Sequence, residues 1–353
     1  MPIGAWHPLL PAALDSLKRQ SERLTIAFLD ASNDPRVRQL ADQNEAWLAY
    51  RRHGPDTGQS DAIIEGWQNI QGDWLGWLNA DDLLMPNSLD QVVAKLTSQP
   101  GLDVVYGHSL ILDETGQMTG YHFNVEPMSE KILSAGIISQ PSCFFRRTAY
   151  EACGGIDRSL HYTMDWDLWI KLYKQGAKFG FLNEVLSMVL WASGTKTSAW
   201  NVNRKRELQG LLERHAPEQE NQSLRAFAVH ALTDMVQPRA LRELLLKRLR
   251  RSGPVVKGVR ADGRLQAQAE FDFAHYADHP KSALELRVSQ GLSKLEIASD
   301  LTFEVQRKSE QLGLIRLSEP LHAGKTVRLR LQSEAAAKPI HFKSLSWQPS
   351  DTV

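Results

Sequence analysis

The sequence predicts an α/β domain followed by a helical stretch and an antiparallel β domain. Three changes of pattern carry this. Up to about residue 195, short apolar runs alternate with segments of helical period. From about 198 to 252 the pattern is helical throughout, and beyond "SGPVVKG" short alternating runs recur between turn residues at regular spacing. At 353 residues the chain also exceeds what one hydrophobic core usually serves, so two or more domains are expected. The boundaries read from these changes are 1–197, 198–252 and 253–353.

In order, "LLPAALDSLKRQ" has helical period, and "LTIAFLDASND" reads as a buried strand from Leu24 to Leu29 that ends at Asp30 in a turn-forming cluster. "SDAIIEGWQNIQG" reads as a helix capped by Ser60 or Asp61 and closed by Gly72. "DWLGWLNADD" and "LDVVYGHSLIL" are the next strands, and the repeated alternation favours a mostly parallel sheet. "TMDWDLWIKLYKQG" is helical, with Asp165 and Asp167 two residues apart and so on different faces. Three helices follow, of which "RALRELLLKRLRR" is amphipathic and basic. Leu241, Leu244, Leu245 and Leu249 share one side of it. It can serve as a docking face for anionic lipid headgroups, or pack on its own protein with a solvated basic face. The runs "LQAQAEFDF", "SALELRVSQ", "SKLEIASD", "LTFEVQR", "GLIRLSE", "TVRLRLQS" and "IHFKSLSW" then have the period of a β-sandwich.

Charge and cysteine content narrow the function. Basic and acidic residues balance at 41 each, which provides no global field to attract nucleic acid, so a charged ligand must be handled locally. Two cysteines, Cys143 and Cys153, are too few for a disulfide framework in a chain this long and suggest a reducing, cytoplasmic compartment. Neither a secretion signal nor a transmembrane span is expected.

The stretch "GWLNADDLLMPNSL" places Asp81 and Asp82 at the end of an apolar run. Carboxylates at the C-terminal end of a buried strand lie where open α/β sheets place ligands, and they are costly there without a cation or a donor. A hard divalent ion, Mg²⁺ or Mn²⁺, suits them, because it takes one or two carboxylates and completes its shell with water and substrate phosphates. The structural alternative is that Asp82 caps a helix, although Asn87 or Ser88 begins a better one.

The string "HGPDTGQSDAIIEGWQNIQGDWLGWLNADD", followed by "ISQPSCFFRRTAYEACGGIDRSLHYTMDWDLWIKL", resembles the inverting family-two glycosyltransferases of GT-A fold, in order over about residues 9 to 197. The resemblance implies transfer of a sugar from a nucleotide-diphosphate donor to a glycan or lipid-linked acceptor. It points to bacterial cell-surface polysaccharide synthesis, in the cytoplasm or peripherally at the inner face of its membrane. It implies Asp81 as metal ligand with Asp82 supporting, and Asp165 as the base that deprotonates the acceptor. Asp167 is then structural, holding the helix start near "LHYT". Asn79 stands where the family often has an acid, and its amide can bond a ribose hydroxyl or a metal-bound water. Asp30 is expected to contact nucleobase or ribose, or only to form an Asx turn. Asp61 would face the nucleotide, or only cap its helix. Lys196, in the polar loop "WASGTKTS", is a candidate point charge on the diphosphate, and Gln140 and Ser142 are candidate acceptor-side groups. Family members usually open with an apolar strand and a Pro-containing turn that holds the nucleobase. Little of that strand is visible in "MPIGAWHP", which leaves a non-catalytic carbohydrate- or nucleotide-binding scaffold as the second expectation.

Overall fold

The computed structural model describes residues 1–20, 24–122, 124–191, 201–276, 280–333 and 339–348. In chain order the elements are β1 (Pro2–Ile3), α1 (Leu10–Lys18), β2 (Ile26–Asp30), α2 (Pro35–Gln43), β3 (Leu48–His53), α3 (Gln59–Asn69), β4 (Trp74–Leu75), β5 (Leu83–Leu84), α4 (Ser88–Ser98), β6 (Val104–Leu112), β7 (Met118–Tyr121), β8 (Cys143–Arg146), α5 (Arg147–Ala152), α6 (Met164–Lys174) and β9 (Phe179–Leu190). Helices α7 (Val202–His215), α8 (Glu220–Asp234) and α9 (Arg239–Leu249) follow. Then come β10 (Val255–Val256), β11 (Val259–Arg260), β12 (Gln268–His275), β13 (Lys281–Val288), β14 (Leu295–Ser299), β15 (Phe303–Arg307), β16 (Leu312–Leu321), β17 (Lys325–Ser333) and β18 (Phe342–Trp347). The described residues within 1–109, 124–189 and 196–231 form one compact unit, and those within 110–123, 190–195 and 232–353 form another.

In the first unit, β1, β2 and β3 pair in parallel, with Ile3 opposite Asp30 and Asp30 opposite His53. All five residues of β2 are buried, as an apolar run in an α/β sheet requires. Strands β4, β8 and β6 pair antiparallel, and β5 pairs antiparallel with β9. Trp67, Trp77, Phe145 and Trp169 share one core, and the rings of Trp77 and Trp169 stack with centroids 5.9 Å apart. This contact fixes α6 against the strand that leads to Asp81.

Two expectations are corrected here. The run 73–82 is a strand only at Trp74–Leu75. Beyond it, Trp67 Nε1 donates to the Gly76 carbonyl at 3.2 Å and Gln140 Nε2 to the Trp77 carbonyl at 2.7 Å. Side chains thus satisfy carbonyls that a ladder would otherwise take, and the backbone is free to turn at 79–82. Helix α3 begins at Gln59 behind Gly58 and ends at Asn69, with no side-chain cap from Ser60 or Asp61 and no closure at Gly72. Gly58 has φ +140°, which favours a residue lacking Cβ. Arg147 collects the carbonyls of Trp67, Ile70 and Gly72 beyond the helix end, satisfying acceptors there.

The second unit holds the antiparallel sheets β12–β17–β14 and β15–β16–β13–β18–β7, with the two-stranded β10–β11 besides. Phe271 of one sheet stacks on Phe342 of the other at 4.3 Å, and Phe273 on Trp347 at 5.8 Å, so the two faces meet as a sandwich.

Candidate functional site

The turn at 79–82 is held by one amide. Asn79 Nδ2 donates to Asp82 Oδ2 at 2.9 Å and to Gln140 Oε1 at 3.1 Å, while its Oδ1 accepts from Gln59 Nε2 at 2.8 Å. Both amide protons and one carbonyl lone pair of Asn79 are therefore engaged by protein, so a ribose hydroxyl or metal-bound water could meet only the remaining lone pair. Asp82 is buried at 7% exposure, and Asp81 beside it is half-buried. Helix α4 starts at Ser88, with Asn87 at its cap in the left-handed region, so Asp82 caps no helix.

The start of α3 reaches the segment that leads to the other acid. Gln59 bonds Asn79, and the next residue, Ser60, donates its hydroxyl to the Leu160 carbonyl at 3.2 Å and approaches Met164 Sδ at 3.0 Å. Met164 precedes Asp165 at the start of α6. The turn at 58–60 therefore lies between the segment carrying Asp81 and Asp82 and the segment carrying Asp165. Asp165 is half-buried, and its Oδ1 accepts from the Trp166 amide at 2.8 Å. Its charge is also felt at Cys143, whose thiol is raised well above its ordinary range by burial first and by Asp165 second.

The segment before α6 is anchored by a residue that carried no sequence signal. Glu207 of α7 accepts from the amides of His161 at 3.0 Å, Tyr162 at 2.7 Å and Thr163 at 3.2 Å. This is a correction to the role expected of Asp167. That carboxylate is 2% exposed, sits 2.7 Å from Lys171 Nζ, and lies 3.7 Å from Arg214 and 3.9 Å from His215, tying α6 to α7 further along.

At the end of β2, Asp30 is 3% exposed. One oxygen accepts from the Ser32 amide at 2.8 Å and its hydroxyl at 2.5 Å, and the other meets His53 Nδ1 at 2.8 Å. The Asx turn is present, and the parallel register that sets Asp30 opposite His53 supplies an imidazole partner that the sequence did not disclose. Asp61 pairs with Arg158, so its charge is shared with a cation of this chain. Lys196 lies outside the described residues. Gln140 joins the Asn79 network, whereas Ser142 is fully buried among the hydroxyls of Ser109 and Ser187, at 2.8 and 2.7 Å, and serves packing. Arg146 stacks on Trp74 and bonds the Leu102 carbonyl, a structural use of its charge.

Two adjacent carboxylates in a turn, one already oriented by an amide, fit a hard divalent ion that takes its remaining oxygens from water and a diphosphate. Among the described residues no group of three or more His, Cys, Asp or Glu forms a fuller cage, which that mode of binding does not need.

Residues 7–154 match the family model described as Glycosyl transferase family 2. An uncharacterized glycosyltransferase of Rickettsia typhi is 27% identical over 177 residues, 46% of this chain and 52% of that protein. A PGL/p-HBAD biosynthesis glycosyltransferase of Mycobacterium bovis is 27% identical over 174 residues, 48% of this chain and 66% of that protein. The chain spans 22%, 52% and 58% of the lengths of relatives from Rickettsia conorii, Rickettsia typhi and Haemophilus influenzae. Among solved structures, S. aureus TarS 1–349 in complex with UDP-GlcNAc is similar with TM-score 0.48 and 13% identity, over 69% of this chain and 78% of that one. A mannosyltransferase from Pyrobaculum calidifontis in complex with GDP-Man and Mn²⁺ is similar with TM-score 0.46 and 16% identity, over 72% of this chain and 74% of that one. The family match falls on residues 7–154, within the α/β domain that carries the acidic turn, so this part of the chain is similar to glycosyl transferase family 2.

Proposed function

We propose that the chain is an inverting glycosyltransferase that moves a sugar from a nucleotide-diphosphate donor to a glycan or lipid-linked acceptor in bacterial cell-surface polysaccharide synthesis. The domain at 1–197 is taken as the catalytic part, with the helices of 198–252 and the β domain of 253–353 as accessory parts. The observation that carries the reading is the α3 start, where Gln59 bonds Asn79 and Ser60 reaches Met164. One rigid turn thus holds the acidic donor-side turn and the α6 acid in a fixed relation, as a single displacement between two substrates requires.

In this reading Asp81 and Asp82 would hold Mg²⁺ or Mn²⁺, which when bound neutralises charge on the departing diphosphate. Asp30 and Asp61 face the nucleoside, with His53 and Arg158 holding the two carboxylates in place. Lys196 is assigned to the diphosphate on the resemblance alone. Asp165 accepts the acceptor hydroxyl proton as the oxygen attacks the anomeric carbon, and the nucleotide leaves from the opposite face. The Trp166 amide bonds one Asp165 oxygen and so orients the carboxylate. The experiment is nucleotide titration by calorimetry, with and without Mn²⁺, alongside transfer assays of Asp165→Asn and Asp81→Ala. Metal-dependent binding that survives Asp165→Asn, together with loss of transfer, is the expected result. Binding with no transfer by the unaltered chain from any donor tried would favour the non-catalytic scaffold.

A further inference from the structure

The ten large apolar side chains exposed among the described residues are unevenly distributed. Six of them, Leu232, Met235, Leu241, Leu244, Leu249 and Val255, fall within residues 232–255 of the second unit. On α9, Leu241, Leu244, Leu245 and Leu249 recur at the spacing of one helix face, and three of these four are exposed, Leu244 at 61%. A helix packed on its own protein turns such a stripe inward, and α9 turns it to solvent. The same residues are strongly basic, with Arg239, Arg242, Lys247, Arg248, Arg250 and Arg251 against Asp234 and Glu243, in a chain whose total charge is zero. Arg248, exposed, falls seven residues after Leu241 and lies on the apolar stripe itself, where its long stem can cover apolar surface while its head reaches out. Directly after Leu249, Arg250 lines a cleft of this unit together with Arg260 and His122.

We propose that α9 and the cleft beside its C-terminal end form a docking surface for an anionic phospholipid leaflet. The leucine face enters the headgroup–acyl boundary, the flanking arginines meet lipid phosphates, and Arg250 and Arg260 receive one headgroup. Charge complementarity selects this occupant: an apolar partner face alone would not call for an excess of four cations, and an anionic membrane satisfies both the leucines and the arginines. Among the described residues no helix is long and apolar enough to cross a membrane, so this attachment lies on the leaflet. The inference rests on the second unit and is independent of the chemistry assigned to the first.

The test is co-sedimentation of the full chain with phosphatidylcholine vesicles, with and without phosphatidylglycerol, at low and high salt. The expected result is binding only to the phosphatidylglycerol vesicles, weakened by salt. Leu241→Ser with Leu244→Ser should cut that binding about tenfold, and Arg248→Gln with Arg251→Gln about tenfold or more, at roughly fivefold for each arginine. Arg260→Gln should weaken binding to the anionic vesicles alone. All of these variants alter partly or fully exposed side chains, and unchanged urea midpoints would establish that they fold. Equal binding to neutral vesicles, or none to either kind, overturns the proposal. So does self-association, seen by sedimentation velocity and lost in the leucine variant, without vesicle binding, since a second copy would then be what covers this face.

Discussion

At the scale of single residues, the acidic turn depends on the amide of Asn79. Asn79 donates to Asp82 and Gln140 and accepts from Gln59, so replacing it by alanine removes three hydrogen bonds around a half-buried turn. Asn79→Ala should cost about 1–3 kcal/mol in urea unfolding, and metal-dependent nucleotide affinity should fall with it. Asn79→Asp is more diagnostic. It sets a second carboxylate 2.9 Å from Asp82 in place of a donor, so the variant should lose stability without metal and recover it on Mn²⁺ addition. A thermal melt with and without Mn²⁺ that shows no difference between variant and parent would remove the divalent ion from this turn. For Asp165→Asn, transfer should drop by about 100- to 10,000-fold while nucleotide affinity holds, the size expected of a lost general base.

At the scale of elements, the position of Asp165 is set by two segments distant in sequence, α7 and the stretch after β4. Glu207 on α7 takes three consecutive amides ahead of α6, and Trp77 stacks on Trp169 within α6. Glu207→Ala should destabilise by about 1–3 kcal/mol, because amides bonded to a carboxylate lose a charged acceptor. It should lower kcat more than it raises KM for the donor, since the nucleotide side is untouched; equal effects on both would mean a general loss of fold. Between β6 and β9 the backbones approach at Gly107, where a Cβ would lie 2.7 Å from the Glu184 carbonyl oxygen. Gly107→Ala should therefore force these strands apart, at a cost of about 1–3 kcal/mol readable in the urea midpoint.

At the scale of the whole molecule, buried bases make stability depend on pH. The Met1 amine donates to the Ala27 carbonyl at 2.7 Å, and burial lowers its pKa to about 5 from 8.0. His215 and His341 are also lowered, each chiefly by burial. For such groups the unfolded chain binds more protons than the folded one between the two pKa values. Stability is then greatest above pH 8 and declines as pH falls to about 5. In a chain beginning at Met1 the amine alone accounts for up to about 4 kcal/mol across that window, taking about 1.4 kcal/mol for each pH unit. Urea midpoints from pH 5 to 8.5 should rise with pH, and acetylating the amine should flatten much of the slope. A slope unchanged by acetylation would assign the effect to the histidines.

What the sequence alone determined is the local pattern. Period and turn residues located the buried β2, the α6 helix and seven of the eight sandwich strands, all but β7, to within a few residues, because burial of one face imposes a repeat that any short window displays. The acidic turn was legible for a similar reason, since two carboxylates closing an apolar run must be explained locally. Tertiary structure alone decided what each acid meets. His53 beside Asp30 follows from strand register, Glu207 beneath the start of α6 from helix packing, and the early end of the strand at Leu75 from Trp67 and Gln140 taking its next carbonyls. These partners lie 9 to 63 residues away in the chain, and a one-dimensional pattern carries no record of which distant donors a fold will bring within hydrogen-bond reach of an oxygen.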